Sequence, residues 1–188
     1  MSLFQVGVAL WAVFLLSWQL AMVWKARAVT RTSLASRTGD YLAYIVGFAL
    51  LFSAWWRPGD LWRPPAALGW GLVALEAASF AFAWWARLHL GRLWSGMITL
   101  REGHRVVDTG PYRWVRHPIY TGFLGAAWTF ALVSGATASL IGAVLLTAQM
   151  AWKARREERF LRQELGPEAY DAYAARTPML IPWPPRRG

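Results

Sequence analysis

Gly110–Trp152 reads GPYRWVRHPIYTGFLGAAWTFALVSGATASLIGAVLLTAQMAW, and its two parts demand different surroundings. The opening residues carry Tyr112, Arg113, Arg116, His117 and Tyr120. Behind them come two apolar runs, Ile119–Val133 and Thr137–Trp152, parted only by Ser134-Gly135-Ala136. So short a connection predicts an antiparallel helical hairpin. Charge set against a hydrophobic run of that length is costly at a bilayer surface unless it holds something charged there. The junction is therefore expected to be half of a binding site.

Outward from this stretch the chain stays apolar. It is 56% hydrophobic and 16% charged, with a mean hydropathy of +0.28, against roughly 45–50% and about 25% in soluble domains. Three further runs precede the hairpin: 3–24, 41–56 and 66–86. Crossing hydrocarbon takes about 20 residues, so the expectation is an all-α integral membrane protein of about five transmembrane helices. Spans are predicted at 3–24, 41–56, 66–86, 119–133 and 137–152. The last two, at 1.5 Å per residue, are short for a full crossing. The N-terminus lacks the basic region and cleavage site of a signal peptide, so its first run is expected to stay as a membrane helix. Trp24, Trp55, Trp56, Trp84, Trp85 and Trp152 fall at span ends, where interfacial tryptophans gather.

Charge gives the orientation. Of 20 Lys and Arg, 18 lie in the first gap, the third gap and the segment after Trp152, and only Arg57 and Arg63 lie in the second gap. The positive-inside rule then predicts the N-terminus outside and the C-terminus in the cytoplasm of a multi-pass inner or plasma membrane protein. The net charge of +10 follows these gaps and forms no nucleic-acid stripe, so no nucleic-acid partner is expected. Absence of cysteine removes disulfides, thiolate metal sites and a cysteine nucleophile; no metal is expected.

Beyond Trp152, Lys153–Leu165 reads as a charged amphipathic helix. Gly166-Pro167 ends it, and a short helix through Tyr170 and Tyr173 comes next, giving C-terminal helices over 153–176 and then a proline-rich tail. The whole of 1–188 is read as one domain, with a cytoplasmic cap formed by the third gap and the C-terminal segment. Glu76, near the middle of the third run, is either functional, as intramembrane carboxyls are by default, or else neutral or hydrogen-bonded between helices.

The run His104-Arg-Val-Val-Asp-Thr-Gly-Pro-Tyr112, then Arg116-His-Pro-Ile-Tyr-Thr-Gly122, then Arg156-Glu-Glu-Arg-Phe-Leu161 with Gly166, Tyr170 and Tyr173, resembles the isoprenylcysteine carboxyl methyltransferase family. Phospholipid methyltransferases share much of the pattern. The resemblance covers residues 100 to 182 and implies a membrane enzyme that uses S-adenosylmethionine, without a Rossmann fold, on a lipophilic acceptor arriving from the bilayer lipids, prenylated or lipid-like. It implies His104, Val107, Gly110, Tyr112, His117, Pro118, Tyr120, Glu157 and Glu158 as cofactor-binding residues, with Arg116 and Glu158 catalytic.

The residue types suit that cofactor independently of the family. Acidic groups serve its ammonium and ribose, basic groups its carboxylate, and aromatic faces its ring or sulfonium; Glu157/Glu158, Arg113/Arg116 and Tyr112/Tyr120 supply them. Pro118 suits the first turn of a helix, which places His117 at its N-cap. The bland reading of Glu157 and Glu158 is a solvated face paired to arginines three or four positions away, and that of the arginines is contact with lipid phosphate. Three other functions stay open at the level of sequence. They are a phospholipid or small-molecule N- or S-methyltransferase, an NADPH-dependent membrane reductase on a related scaffold, and a transporter, whose best support is Glu76.

Overall fold

The computed structural model describes residues 1–21, 28–31, 34–55, 61–91, 99–101 and 106–182. Six α-helices carry it: α1 Leu3–Leu20, α2 Leu34–Leu51, α3 Ala66–Leu90, α4 Pro118–Ser134, α5 Thr137–Leu165 and α6 Pro167–Arg176. The all-α expectation needs one amendment. β1 Ala28–Arg31 and β2 Thr99–Arg101 form an antiparallel two-stranded ribbon that joins the first basic gap to the third. Among the described residues there is no parallel sheet, hence no Rossmann unit.

Several boundaries differ from the apolar runs, for one reason. Counting hydrophobic residues misses helical turns that are polar. Thus α2 starts at Leu34 instead of 41, and gives way at Leu51 to a 3-10 turn over Phe52–Trp55. The expected break after Trp152 is absent, because Lys153–Leu165 simply continues α5 to 29 residues, about 43 Å. Helix α3 runs four residues past Ala86, and so Arg87 is no loop residue. Its guanidinium is fully buried and donates to the carbonyls of Ala21 at 3.1 Å and Gly91 at 2.9 Å, tying the ends of α1 and α3 together.

Packing follows from small residues at crossings. Helices α1 and α3 run parallel, with Leu3 against Gly69 at one end and the Trp84 indole donating to the Ser17 hydroxyl at the other. Helix α4 runs back against α3 where Gly122 meets it. A Cβ there would lie 2.6 Å from the Ser79 carbonyl oxygen and 2.9 Å from the Ala83 nitrogen, so only a bare Cα allows the approach. Helix α5 returns beside α2, the Ser139 hydroxyl donating to the Leu51 carbonyl at 2.7 Å. The α4–α5 turn is closed from outside by Leu61 N–H on the Gly135 carbonyl and the Trp62 indole on the Leu132 carbonyl. As a result the C-terminal ends of α1 and α3, the start of α4 and the middle of α5 share one end of the bundle, where the basic residues collect.

The centre is aromatic. Trp11 stands edge-on to Phe48, Phe52 and Phe80, and Phe14 stacks on Phe80 at 4.3 Å. The outer surface is apolar as well: Leu16 is 67% exposed, Ile45 65% and Leu75 55%. An outward apolar face of this extent marks contact with lipid or a partner. By length and composition two helices suffice to cross a bilayer, Leu3–Leu20 and Ala66–Leu90, while the apolar segments Tyr41–Ala54 and Pro118–Ser134 are shorter. Of the tryptophans named above, Trp85 and Trp152 point outward and Trp84 packs inward on Trp18; Trp24 and Trp56 lie outside the described residues.

Glu76 is fully buried, and neither of its carboxyl oxygens has a hydrogen-bond partner; the Trp11 indole N–H is likewise unpaired. Of the readings offered by the sequence, the hydrogen bond between helices is not seen among the described residues. Room for the carboxyl comes from Gly7 on α1, where a Cβ would lie 3.0 Å from Glu76 Oε2 and 2.9 Å from the Phe130 ring.

Gly122→Ala is expected to lower stability in detergent by about 1–3 kcal/mol through overpacking, while Gly71→Ala, which meets nothing within 4 Å, is neutral or stabilising. Thermal unfolding of the two variants side by side checks this. Equal effects would mean that the α3–α4 approach is not what holds Gly122.

Candidate active site at the α4–α5 junction

The site forms where the start of α4 meets the middle of α5. Pro118 is the first residue of α4 and His117 its N-cap, as the sequence predicts. The backbone at 116–117 is held by the tail, with Arg116 N–H donating to the Pro178 carbonyl at 2.8 Å and His117 N–H to the Met179 carbonyl at 3.1 Å. The Thr121 hydroxyl adds a bond to the Leu180 carbonyl. The proline-rich tail thus works as a clip across the helix start.

Across this start lie the two glutamates of α5. Glu158 accepts from Arg116 at both oxygens, Nε to Oε1 at 2.7 Å and Nη2 to Oε2 at 3.1 Å, and its Oε1 lies 3.1 Å from His117 Nε2. Glu157 Oε2 accepts from the Tyr120 hydroxyl at 2.8 Å and lies 3.8 Å from His117 Nδ1. The His117 and Tyr120 rings stack, 5.3 Å between centroids and 7° between planes. The glutamates are therefore not a solvated face paired along their own helix. Their partners come from α4, some forty residues away in sequence.

Electrostatics follows from that pairing. Burial by itself pushes the Glu158 carboxyl up, but the hydrogen bonds from His117 and Arg116 overcome it and bring the group down to about 2, from 4.5. Arg116 is moved oppositely: burial lowers it, and Glu158 more than restores it, so that its pKa is raised. Four of the five guanidinium donors are engaged, since Nη1 also donates to the Ala174 carbonyl at 3.0 Å and to the Thr177 carbonyl. Arg116 thus joins the start of α4 to α5 and α6. Arg113, the other basic residue assigned to the site, is exposed.

The Gly110–Tyr112 segment is a 3-10 turn, Gly110–Arg113, set against the last turns of α3. Gly110 takes a left-handed φ of 56°, which favours glycine. Tyr112 is buried; its hydroxyl donates to the Ala86 carbonyl at 3.4 Å, and its own carbonyl accepts from the Tyr173 hydroxyl at 2.7 Å. Burial raises the phenol pKa of both Tyr112 and Tyr173, so both stay protonated as donors. Val107 packs against the core beside them, and Asp108 pairs with Arg176 of α6. His104 lies outside the described residues.

Two side chains at the site were missed by sequence reading. Lys153 Nζ sits 5.5 Å from the centre of the Tyr120 ring and 5.8 Å from that of Tyr44, which brings α2 to the site's edge. His89, in the last turn of α3, touches Thr109, Gly110 and Tyr112. Neither belongs to a motif. The available hint was helical spacing, since Lys153 precedes Glu157 by one turn.

This donor set fits an onium cofactor. Paired carboxylates beside a His–Tyr stack suit ammonium, diol and sulfonium groups. Comparison with known proteins agrees. Residues 72–163 match the model of the isoprenylcysteine carboxyl methyltransferase (ICMT) family, the resemblance read from the motifs. A nickel-cobalt-cadmium resistance protein of Alcaligenes xylosoxydans xylosoxydans is 31% identical over 65% of this chain and 53% of its own length. A methanethiol S-methyltransferase of Mycobacterium tuberculosis is 31% identical over 76% and 62%. A protein-S-isoprenylcysteine O-methyltransferase B of Arabidopsis thaliana is 29% identical over 77% and 68%. The chain thus spans about half to two thirds of the length of these relatives.

Because Glu158 is held below its ordinary value, its stabilising contribution is full above about pH 4.5 and is lost as pH falls toward 2. Thermal unfolding followed over that window should drop by at most about 3 kcal/mol, and Glu158→Gln should flatten the drop. An unchanged slope in the variant would show that the ion pair does not contribute.

Proposed function

Taking this chain as an isoprenylcysteine carboxyl methyltransferase-like protein over residues 72–163, we propose that it is a membrane methyltransferase dependent on S-adenosylmethionine and acting on a lipophilic acceptor, most like isoprenylcysteine carboxyl O-methylation. The observation that carries the proposal is the meeting of Glu157 and Glu158 with His117 and Tyr120, groups that are far apart in sequence and of the types an onium cofactor needs.

S-adenosylmethionine, when bound, supplies a methyl group activated on a sulfonium. Glu157, Tyr120, His117 and the Gly110–Tyr112 turn are assigned to hold it, with Val107, Pro118 and His104 completing the set. Arg116 and Glu158 form the pair that fixes this frame; their catalytic part is to position it. The chain's main contribution is to align and desolvate the reactants, worth up to about 7–11 kcal/mol for well-oriented groups. A carboxylate acceptor is already ionised at neutral pH and needs no base, whereas an ammonium must first lose a proton. A smaller thiol acceptor is the second reading, favoured by the methanethiol S-methyltransferases among the relatives.

Calorimetry with S-adenosylhomocysteine tests the assignment. Glu158→Ala and His117→Ala should each weaken binding by at least about tenfold while the protein stays folded in detergent. Unchanged affinity in both would refute the site. With labelled cofactor, turnover should rise along a homologous series of acceptors as chain length grows, about 0.8 kcal/mol favouring each buried CH₂. Equal rates for short soluble thiols and long-chain acceptors would instead support the second reading.

The proposed topology is one domain over 1–188 with five spans, the N-terminus outside and the site at the cytoplasmic face of an inner or plasma membrane. It rests on the 18-to-2 split of basic residues and, among the described residues, on the placement of Arg87, Arg116 and Lys153 at one end of the bundle. Single cysteines at Ser95 and Arg187 can be probed because the chain has no cysteine of its own. Labelling of either by an impermeant reagent outside intact cells would overturn the orientation.

A further inference from the structure

The segment assigned above to the cofactor is shaped around a residue that no motif contains. His89 lies in the last turn of α3, twenty positions before Thr109. Its Nε2 is 2.9 Å from the Thr109 hydroxyl, and its ring lies 6.3 Å from the Tyr112 ring at 27°. Between these contacts Gly110 turns over the imidazole so closely that a Cβ would fall 2.6 Å from Cε1, 2.7 Å from Nδ1 and 2.9 Å from Nε2. Thr109, Gly110 and Tyr112 thus wrap three sides of one imidazole. The need for glycine at 110 has two physical parts, the left-handed φ of 56° and the space that His89 occupies.

Resting on the methyltransferase reading, we propose that His89 is a positioning residue for the cofactor, a template around which the Thr109–Tyr112 turn is set so that it faces Glu157 and the His117–Tyr120 stack. Of the other anchors, the near one is an exposed ion pair, Asp108 with Arg176, and the buried one lies at the far end. Tyr112 is held by Ala86 and Tyr173, whereas Thr109 has no side-chain bond to its own 3-10 turn and takes its side-chain contact from His89. Without the imidazole, Gly110 is free to sample the wide backbone space open to it, and a turn displaced by an ångström is enough to lose a large part of cofactor alignment. His89 is itself exposed, so its removal opens no core cavity and its effect should appear in binding more than in stability.

The test is a cycle on the full-length protein in detergent, with calorimetry of S-adenosylhomocysteine and thermal unfolding measured in parallel. His89→Ala is expected to weaken binding about tenfold with unfolding shifted by only a few degrees, and His89→Gln, whose amide reaches the Thr109 hydroxyl, to restore most of it. Gly110→Ala should weaken binding on its own. The double variant should be less impaired than the product of the two, because removing the ring removes the overlap and leaves only the φ strain. If alanine at 89 does not fold, His89→Met, which keeps the bulk and loses the bond, should show the same weakening. Affinity within twofold of wild type in the variant lacking the imidazole, or strictly multiplicative effects in the double variant, would overturn the inference. Absence of any binding to the wild-type protein would instead remove the cofactor reading on which it rests.

Discussion

A half-buried carboxylate between an arginine and a histidine is what the lower half of this molecule is assembled upon. Glu158 receives Arg116 at both oxygens and His117 at one, and Arg116 passes the connection on to the carbonyls of Ala174 and Thr177. Three helices and the tail are joined through two side chains. A charge half removed from water is costly unless its partners are complete, and completeness here requires α4, α5 and α6 to be in register at once. Truncating Glu158 would leave donors of Arg116 and His117 unpaired, and truncating Arg116 would leave the carboxylate without its two-point partner, so the contacts are coupled and do not simply add.

Above that polar layer the physics reverses. The bundle has an aromatic interior and an aliphatic exterior, and hydrophobic burial alone gives it little reason to prefer one helix arrangement, since lipid is as apolar as the core. Specific packing selects the arrangement instead, through the bare Gly122 against α3 and the Ser139 hydroxyl on the Leu51 carbonyl. Among the described residues, Glu76 and the Trp11 indole are the buried side chains with unpaired polar atoms, and both face the α1–α3 seam.

Much of this was legible in the sequence, for identifiable reasons. The hairpin at Ser134-Gly135-Ala136, the N-cap at His117 before Pro118 and the stop at Gly166-Pro167 depend on local chemistry, which a linear reading sees directly. The early start of α2 was missed because polar residues do not forbid a helix; they only fail to announce one. The helix over Lys153–Leu165 was read, but not that it continues α5 without a break. The clustering of Glu157 and Glu158 with α4 came through the motif pattern, since no periodicity could have separated it from an ordinary ion-paired face. Arg116 shows the limit most clearly. Its type suggested a carboxylate ligand, and only three-dimensional geometry shows most of its donors taken by Glu158, Ala174 and Thr177. His89 reaches the site through helix packing, which leaves no mark in the sequence, and Lys153 is marked only by its one-turn spacing to Glu157.

The clip made by Pro178, Met179 and Leu180 has a bearing on the order of events during synthesis. Helices emerge from the ribosome in sequence, at about 5–20 residues per second, and α1 through α4 are made long before the tail that holds the start of α4. The backbone N–H groups of Arg116 and His117 therefore have no Pro178 or Met179 carbonyl to bond until that segment is made, and during that interval the Glu158 pairing lacks its brace.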